Sequence, residues 1–175
     1  MKDRSIRRLT FLQWGAVVLG VSCAMSAVAA EVNQAAPACA LPAMPDGKTL
    51  QWQQLKNQVV YVDFWASWCG PCMQSFPFMN ELQREYGQRG LQVVAVNLDE
   101  EDADAQAFLA KARPVFAVAA DPSQQCAKNF AVEAMPSSYL IDRKGHVRFI
   151  HKGFRPGEVD ELRGILKQLL DEPAT

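Results

Sequence analysis

The sequence predicts an α/β fold in which a central mixed sheet is flanked by helices. Apolar segments typical of buried strands alternate along the chain with segments of helical period. The segments 59–64 and 91–98 are almost continuously apolar, as strands covered on both faces are. Residues 142–145 form a turn sequence between two short strands, which adds antiparallel pairing. A chain of 175 residues is long enough for one domain of this class.

The N-terminal half predicts a hairpin, a buried strand and a long helix. Turn residues at 45–47 separate two short extended segments, 39–41 and 49–52. After the strand at 59–64, a Gly-Pro pair ends the extended conformation and begins a helix near residue 69. Two glycines, Gly87 and Gly90, end that helix.

The C-terminal half continues the alternation. The elements predicted there are a strand at 91–98, a helix at 99–112, a strand at 115–119, a helix at 124–130, strands at 137–141 and 147–151, and a final helix at 158–170. Acidic residues from Asp99 to Asp104 crowd the start of the second helix. We interpret these acids as a solvated helix start, where the dipole favours negative charge.

Two cysteines follow the first buried strand directly, in the sequence Cys69-Gly70-Pro71-Cys72. Because Gly70 and Pro71 turn the chain into a helix, Cys69 is placed at a helix N-terminus, where unpaired N–H groups favour a thiolate. We expect Cys69 to be the nucleophile of a dithiol redox centre and Cys72 to attack a mixed disulfide formed on it. A structural disulfide or half of a zinc site are the competing interpretations, although the sequence has no second closely spaced pair.

The N-terminal segment has the pattern of an export signal. Residues 1–30 place four basic residues before an uncharged stretch, 9–30, that ends in small residues. This pattern predicts a signal peptide or a membrane anchor, and Cys23 adds lipid attachment as a third fate. Residues 31–36 are predicted to be a linker and residues 37–175 the folded domain. Every fate delivers the domain to the periplasm or another extracytoplasmic compartment.

Charge and composition exclude some partners. The chain has a formal net charge of −1 at pH 7, and without the four cations and one anion of residues 1–30 the remainder carries −4. An acidic domain is a poor binder of nucleic acid, so we expect no nucleic-acid partner. The two histidines, His146 and His151, are expected to be exposed and not metal ligands. We expect a monomer without a cofactor or metal.

The run from Asp63 to Cys72, together with Met135-Pro136-Ser137 and residues 140–145, resembles the thioredoxin superfamily. Within it, the chain is similar to exported TlpA/ResA-like thiol:disulfide oxidoreductases, which include cytochrome c maturation proteins. The resemblance covers roughly residues 37–170. It implies a thioredoxin-like fold with an N-terminal hairpin and an inserted helix and strand between the strand at 91–98 and Pro136.

The resemblance also implies a cis peptide bond between Met135 and Pro136 and a substrate surface around it. In the family, this loop lies against the active disulfide, and its backbone pairs with an extended substrate segment. Phe64, Trp65 and Trp68 are expected to pack around the redox centre. The predicted substrate contacts are Trp68, Gly70, Pro71, Met135, Pro136 and Ser137.

Asp63 is the third candidate catalytic residue. An acid in the middle of an apolar strand is protonated unless it is paired, and a raised pKa suits proton exchange with Cys72. Capping of a turn is the competing interpretation. Thioredoxin carries an aspartate at this position, but the lysine that accompanies it has no counterpart here, because residues 93–96 are Val, Val, Ala and Val.

Together these features predict an enzyme, a thiol:disulfide oxidoreductase that reduces protein disulfides through Cys69 and Cys72. The resemblance implies apocytochrome c as a substrate class and a membrane thiol transporter of the DsbD or CcdA type as electron donor. Two alternatives stay open. One is an oxidant that donates disulfides, although strong oxidants of the family carry a histidine between the cysteines where this chain has Gly70 and Pro71. The other is a copper-handling protein that uses the thiols as soft ligands.

The other two cysteines of the domain are Cys39 and Cys126. In an exported chain they either pair in a second disulfide or stay buried as free thiols. A pair would tie the N-terminal hairpin to the helix near Phe130. The sequence leaves both possibilities open.

Overall fold

A computed structural model describes residues 29–44, 46–51, 54–55 and 57–173. The predicted leader, residues 1–30, lies outside the described residues except for its last two. Within the described ranges, the strands are β1 Leu41–Met44, β2 Thr49–Leu50, β3 Val59–Trp65, β4 Leu91–Asn97, β5 Ala117–Ala120, β6 Ser137–Ile141 and β7 Val147–Lys152. The α-helices there are α1 Gly70–Tyr86, α2 Asp102–Ala112, α3 Gln125–Asn129 and α4 Val159–Asp171. None of the helices in this part of the chain has the length and apolar character needed to cross a bilayer.

The strands form one mixed sheet in the order β2-β1-β5-β4-β3-β6-β7. β3, β4 and β5 are parallel, whereas β1, β2, β6 and β7 join their neighbours in antiparallel fashion. The predicted mixed sheet and N-terminal hairpin are therefore confirmed, and α2, β5 and α3 lie between β4 and Pro136. All seven residues of β3 are buried, because helices or loops cover both faces of the strand.

Successive residues of β3 face opposite layers of the fold. Tyr61 and Trp65 face a layer formed by α1, α2 and α4, which also contains the cysteine pair of α1. Phe64 faces the other layer, where its ring lies 5.2 Å from the ring of Phe130 and 5.8 Å from that of Tyr139. The expectation that Phe64 packs around the redox centre is wrong, because neighbouring strand residues point to opposite faces.

The segment predicted as a linker contacts the β6–β7 hairpin. The N–H of Asn33 donates to the carbonyl of Val147 at 2.6 Å, and the N–H of Val147 donates to the carbonyl of Gln34 at 2.9 Å. The N–H of Ala36 donates to the carbonyl of Gly145 at 2.8 Å. Residues 31–36 are therefore held against the domain by backbone hydrogen bonds.

Cys39 and Cys126 form a disulfide between the segment that enters β1 and helix α3. Both residues are buried in the layer opposite the Cys69–Cys72 pair. The sequence left this pairing open, and the structure resolves it in favour of the disulfide. The bond connects residues 87 positions apart, so it restricts the unfolded chain over a long loop.

We predict that replacing Cys39 and Cys126 together with alanine lowers the free energy of unfolding by about 3–4 kcal/mol, because the unfolded chain regains the entropy that the cross-link removes. Urea titration of the oxidised proteins measures the difference. A reductant that opens both disulfides should bring wild type and variant close together. Equal stability under oxidising conditions would show that the bond does not stabilise the fold.

Candidate active site

Cys69 and Cys72 form a disulfide at the start of α1. Cys69 is the N-cap residue, with an extended backbone, and the N–H of Cys72 points at its sulfur over 3.3 Å. Pro71 occupies the first turn, and that turn contains no acidic residue. The Cys69 sulfur therefore lies at the positive end of the helix dipole, as predicted. The first turn of α1 has no carboxylate that would weaken the stabilisation of a thiolate there.

The two cysteines differ in access to solvent. Cys69 is 5% exposed, whereas Cys72 is completely buried in the layer that includes Trp65 and Phe76. A protein thiol or disulfide that approaches from outside therefore reaches Cys69 first. This difference supports the predicted roles of Cys69 as nucleophile and Cys72 as resolving thiol.

Asp99 holds the turn that leads from β3 to the cysteines. Its carboxylate accepts hydrogen bonds from the Ser67 N–H at 2.9 Å, from the Ser67 hydroxyl at 3.0 Å and from the side-chain amide of Asn97 at 2.8 Å. The residue is buried, so the interpretation of Asp99 as part of a solvated helix start is wrong. Helix α2 begins at Asp102, three residues after Asp99. The remaining acids of the segment, Glu100 to Asp104, are exposed as predicted.

Asp63 is completely buried on β3, on the same sheet face as Tyr61 and Trp65. Burial raises its pKa to about 7, and a hydrogen bond from the Ser138 hydroxyl opposes that rise. The Ser138 oxygen lies 2.6 Å from Asp63 Oδ1. On β4, the residue paired with Asp63 is Ala95, which confirms that no lysine stands at that position.

The loop before β6 lies beside the cysteine pair. The peptide bond between Met135 and Pro136 is cis, as the resemblance implied. Met135 packs against the cluster that contains Cys69 and Cys72, and it lines a groove of about 250 Å³ together with Trp68. Trp68 is 74% exposed, so it forms the outer wall of this groove.

The other predicted contact residues differ in exposure. Gly70 and Pro71 are exposed at the start of α1. Pro136 is buried, and Ser137 is buried with its hydroxyl donating to the carbonyl of Ala134 at 2.7 Å. The hydroxyl of Ser137 is thus bonded within the protein, and Ser137 pairs with both β3 and β7. The substrate contact at Ser137 stays a prediction.

One histidine is placed differently from the prediction. The side chain of His151 is only 13% exposed, and its Nε2 lies 2.9 Å from Glu158 Oε2. The expectation that His151 is exposed is wrong, because α4 and the segment before it cover this part of β7. The His146 side chain is 44% exposed, as expected.

Three residues that support the site were not predicted from the sequence: Tyr61, Asp99 and Ser138. Tyr61 looks like an ordinary strand residue, and Ser138 looks like an ordinary serine two residues after Pro136. Their connection to Asp63 depends on the pairing of β3 with β6, which a single sequence does not display. Asp99 had one available signal, since it follows β4 at the same sheet edge where β3 ends.

A cysteine pair that begins a helix directly after the central strand, opposite a cis-proline loop, is how proteins with a thioredoxin-like fold exchange disulfides. The chain is a thiol:disulfide oxidoreductase of this class. It belongs to the Redoxin family, whose model matches residues 31–166.

Named relatives agree with this assignment. The thiol-disulfide oxidoreductase ResA of Bacillus thuringiensis (strain Al Hakam) is 32% identical over 124 residues, which cover 71% of this chain and 70% of the relative. A crystal structure from Chlorobium tepidum, provisionally assigned as the thiol:disulfide interchange protein DsbE, is 44% identical, with a TM-score of 0.78 over 81% of this chain and 99% of that one. StoA of Bacillus subtilis shares the fold, with 20% identity and a TM-score of 0.62 over 74% of this chain and 96% of its own.

We predict that Asp99→Ala lowers the free energy of unfolding by about 2–4 kcal/mol. The substitution removes the buried carboxylate that accepts from the N–H and hydroxyl of Ser67 and from the side-chain amide of Asn97. Urea titration measures the loss. Glu100→Ala, at the exposed neighbouring residue, is the matched control and should change stability by less than about 0.5 kcal/mol. Equal effects of the two substitutions would contradict the role assigned to Asp99.

We predict that Asp63 makes the oxidised protein less stable as the pH rises. The native carboxyl has a pKa of about 7, above the value of 3.8 expected when it is exposed, so between these values the native state holds a proton that the unfolded state has released. The free energy of unfolding should therefore fall by about 3 kcal/mol between pH 5 and pH 8.

Urea titrations of wild type and Asp63→Asn at the two pH values test this prediction. The variant should lose that pH dependence and be the more stable protein at pH 8. Glu100→Gln, at an exposed position, should retain the wild-type dependence. A pH dependence that is identical in wild type and Asp63→Asn would refute the assignment.

Proposed function

We propose that the chain is an exported reductant of protein disulfides that works through Cys69, Cys72 and Asp63. Cys69 attacks one sulfur of a substrate disulfide, forms a mixed disulfide and releases the other sulfur as a thiolate. Cys72 then loses its proton to Asp63, directly or through one water, and attacks Cys69. The products are the Cys69–Cys72 disulfide and a dithiol substrate, so two electrons pass from the protein to the substrate.

The observation that carries this proposal is the arrangement of the two sulfurs at the first turn of α1. Cys69 is the more exposed of the two cysteines and its sulfur accepts from the backbone N–H of Cys72, whereas Cys72 is completely buried on the sheet face that Asp63 also occupies. An attacking thiol requires access and a stabilised thiolate. A resolving thiol benefits from protection and from a base that is partly ionised near neutral pH, which a pKa of about 7 provides.

The groove between Trp68 and Met135 is proposed as the contact surface for substrates. It is lined by Trp68, which directly precedes Cys69, and its walls combine apolar groups with the charged side chains of Lys128 and Glu133. Trp68, Gly70 and Pro71 supply exposed surface on one side. On the other side, the backbone of Met135 is the proposed source of hydrogen bonds to the substrate, because the carbonyl of Pro136 accepts from the N–H of Gly153 and Ser137 pairs with both β3 and β7. An extended peptide that presents a cysteine suits this shape.

Export to the periplasm or another extracytoplasmic compartment is part of the proposal. Two observations support it. Residues 1–30 have the composition of a signal peptide or anchor. The Cys39–Cys126 disulfide is buried and far from the redox pair, and such disulfides persist in oxidising compartments.

We propose apocytochrome c as the substrate class and a membrane thiol transporter of the DsbD or CcdA type as the donor. The resemblance to the cytochrome c maturation branch supports the substrate class, and the relatives named ResA and DsbE agree with that branch. A donor is required because each turnover leaves Cys69 and Cys72 oxidised. On the oxidising side of a membrane, electrons must then be delivered from the other side.

We predict that the purified domain reduces insulin and that Cys69→Ser abolishes this activity. Redox titration of the Cys69–Cys72 pair should give a potential closer to about −270 mV than to about −120 mV. A potential near about −120 mV would reverse the expected direction of electron flow and favour a disulfide donor. Copper or zinc that is retained through purification and displaced by oxidation of the pair would favour the metal-handling function instead.

The substrate class is tested by trapping. Cys72→Ser should form a stable mixed disulfide with an oxidised peptide that contains the Cys-x-x-Cys-His motif, and mass spectrometry detects the adduct. Cys69→Ser is the matched control, because it retains one thiol but should form no adduct. Equal trapping by both variants would contradict the assigned order of attack.

A further inference from the structure

Two buried hydroxyl groups connect β3 to β6 next to Asp63. The hydroxyl oxygen of Tyr61 lies 2.9 Å from the hydroxyl oxygen of Ser138, which lies 2.6 Å from Asp63 Oδ1. Tyr61 and Asp63 are fully buried or nearly so, and Ser138 is 4% exposed. Ser138 pairs directly with Asp63 in the β3–β6 register, so the sheet itself places the two groups together.

The chemistry of the three groups sets the direction of these hydrogen bonds. An ionised carboxylate only accepts, so Ser138 donates its proton to Asp63 Oδ1. The Ser138 oxygen then accepts from the Tyr61 hydroxyl. A separation of 2.6 Å is typical of an O–H donor that faces a charged oxygen.

This arrangement distinguishes the two oxygens of Asp63. Oδ1 is occupied by Ser138, whereas Oδ2 is buried and has no hydrogen-bond partner among the described residues. If Oδ2 gains a proton, Oδ1 becomes the carbonyl oxygen of the acid and still accepts from Ser138. The hydroxyl pair therefore serves both protonation states of Asp63 without rotating.

We propose that Ser138 and Tyr61 are positioning residues that hold Asp63 so that Oδ2 is the oxygen which takes the proton of Cys72. This inference rests on the proposed role of Asp63 as the base. In the resolving step, the Cys72 S–H bond breaks and its proton moves to Oδ2. The Cys72 sulfur bonds to Cys69 while the Cys69–substrate bond breaks and the substrate sulfur leaves as a thiolate.

The titratable groups around Asp63 come from several elements of the fold. Tyr61 on β3 and the two cysteines of α1 are titratable neighbours on this sheet face. His151 pairs with Ser138 in the β6–β7 register, and its Nε2 lies 2.9 Å from Glu158 Oε2, so these two side chains lie one strand further from Asp63 than Ser138 does. α2 and α4 contribute apolar side chains to the layer that covers this face, and β4 contributes Ala95 beside Asp63.

The test follows the reaction of the reduced protein with excess 5,5′-dithiobis(2-nitrobenzoate). The first thionitrobenzoate is released when Cys69 attacks, and the second when Cys72 resolves the mixed disulfide. In wild type the rate of the second release should rise with pH as Asp63 ionises. Ser138→Ala removes a hydrogen bond to the carboxylate, so the midpoint of this profile should move upward by about one pH unit.

Three further variants make the result decisive. Tyr61→Phe keeps the ring in the core and should move the midpoint upward by a smaller amount than Ser138→Ala. It replaces Ser138→Ala in the test if that variant does not fold. Ser138→Thr keeps a hydroxyl and should retain the wild-type pH profile of the second release. Ser123→Ala removes a hydroxyl bonded to a different carboxylate, Asp121, and should leave the midpoint unchanged.

The outcomes separate the inference from the proposal on which it rests. In Asp63→Asn, the rate of the second release should no longer show the wild-type pH midpoint. Adding Ser138→Ala to Asp63→Asn should then leave the pH profile of that rate unchanged. If Asp63→Asn retains the wild-type midpoint, Asp63 is not the base. If Asp63→Asn abolishes the midpoint but neither Ser138→Ala nor Tyr61→Phe moves it, the positioning role of the hydroxyl pair is overturned.

Discussion

The junction between β3 and α1 is the constraint on which the rest of the site depends. β3 is buried on both faces, and within five residues of its end the chain must become a helix whose first N–H groups surround a sulfur. Asp99 makes this turn possible by accepting the N–H and the hydroxyl of Ser67 just before the cysteines. The geometry of Cys69 therefore depends on a carboxylate supplied by the end of β4, and the parallel pairing of β3 with β4 brings the two together.

Asp63, which we propose as the catalytic base, lowers the stability of the fold when it ionises. A carboxyl group in a closed apolar layer resists ionisation, and here its opposing interaction is a neutral hydroxyl from Ser138. A lysine partner would favour the ionised form more strongly and at a lower pH. With hydroxyl groups alone, the pKa of Asp63 stays near neutral pH, so its protonated and ionised forms are both populated there. A general base requires both forms, because it must accept a proton and release it again.

Local sequence patterns predicted the α/β class, most strands and the position of Cys69 and Cys72, because strand composition and the Gly-Pro turn act over few residues. The orientation of Phe64 was wrong because a continuously apolar strand gives no sign of which face each residue takes. Asp99 was missed because an acid-rich helix start and an inward loop acceptor look alike locally. The partners of Asp63 depend on strand register, which arises only when distant segments pair.

The sheet separates the two disulfides of this protein, since Cys69 and Cys72 lie in one layer and Cys39 and Cys126 in the other. A catalyst of thiol–disulfide exchange thus contains a second disulfide of its own. The sheet stands between that bond and the sulfur of Cys69, and both Cys39 and Cys126 are buried. The Cys69–Cys72 pair can therefore open and close on one face of the sheet while the disulfide on the other face continues to cross-link the fold.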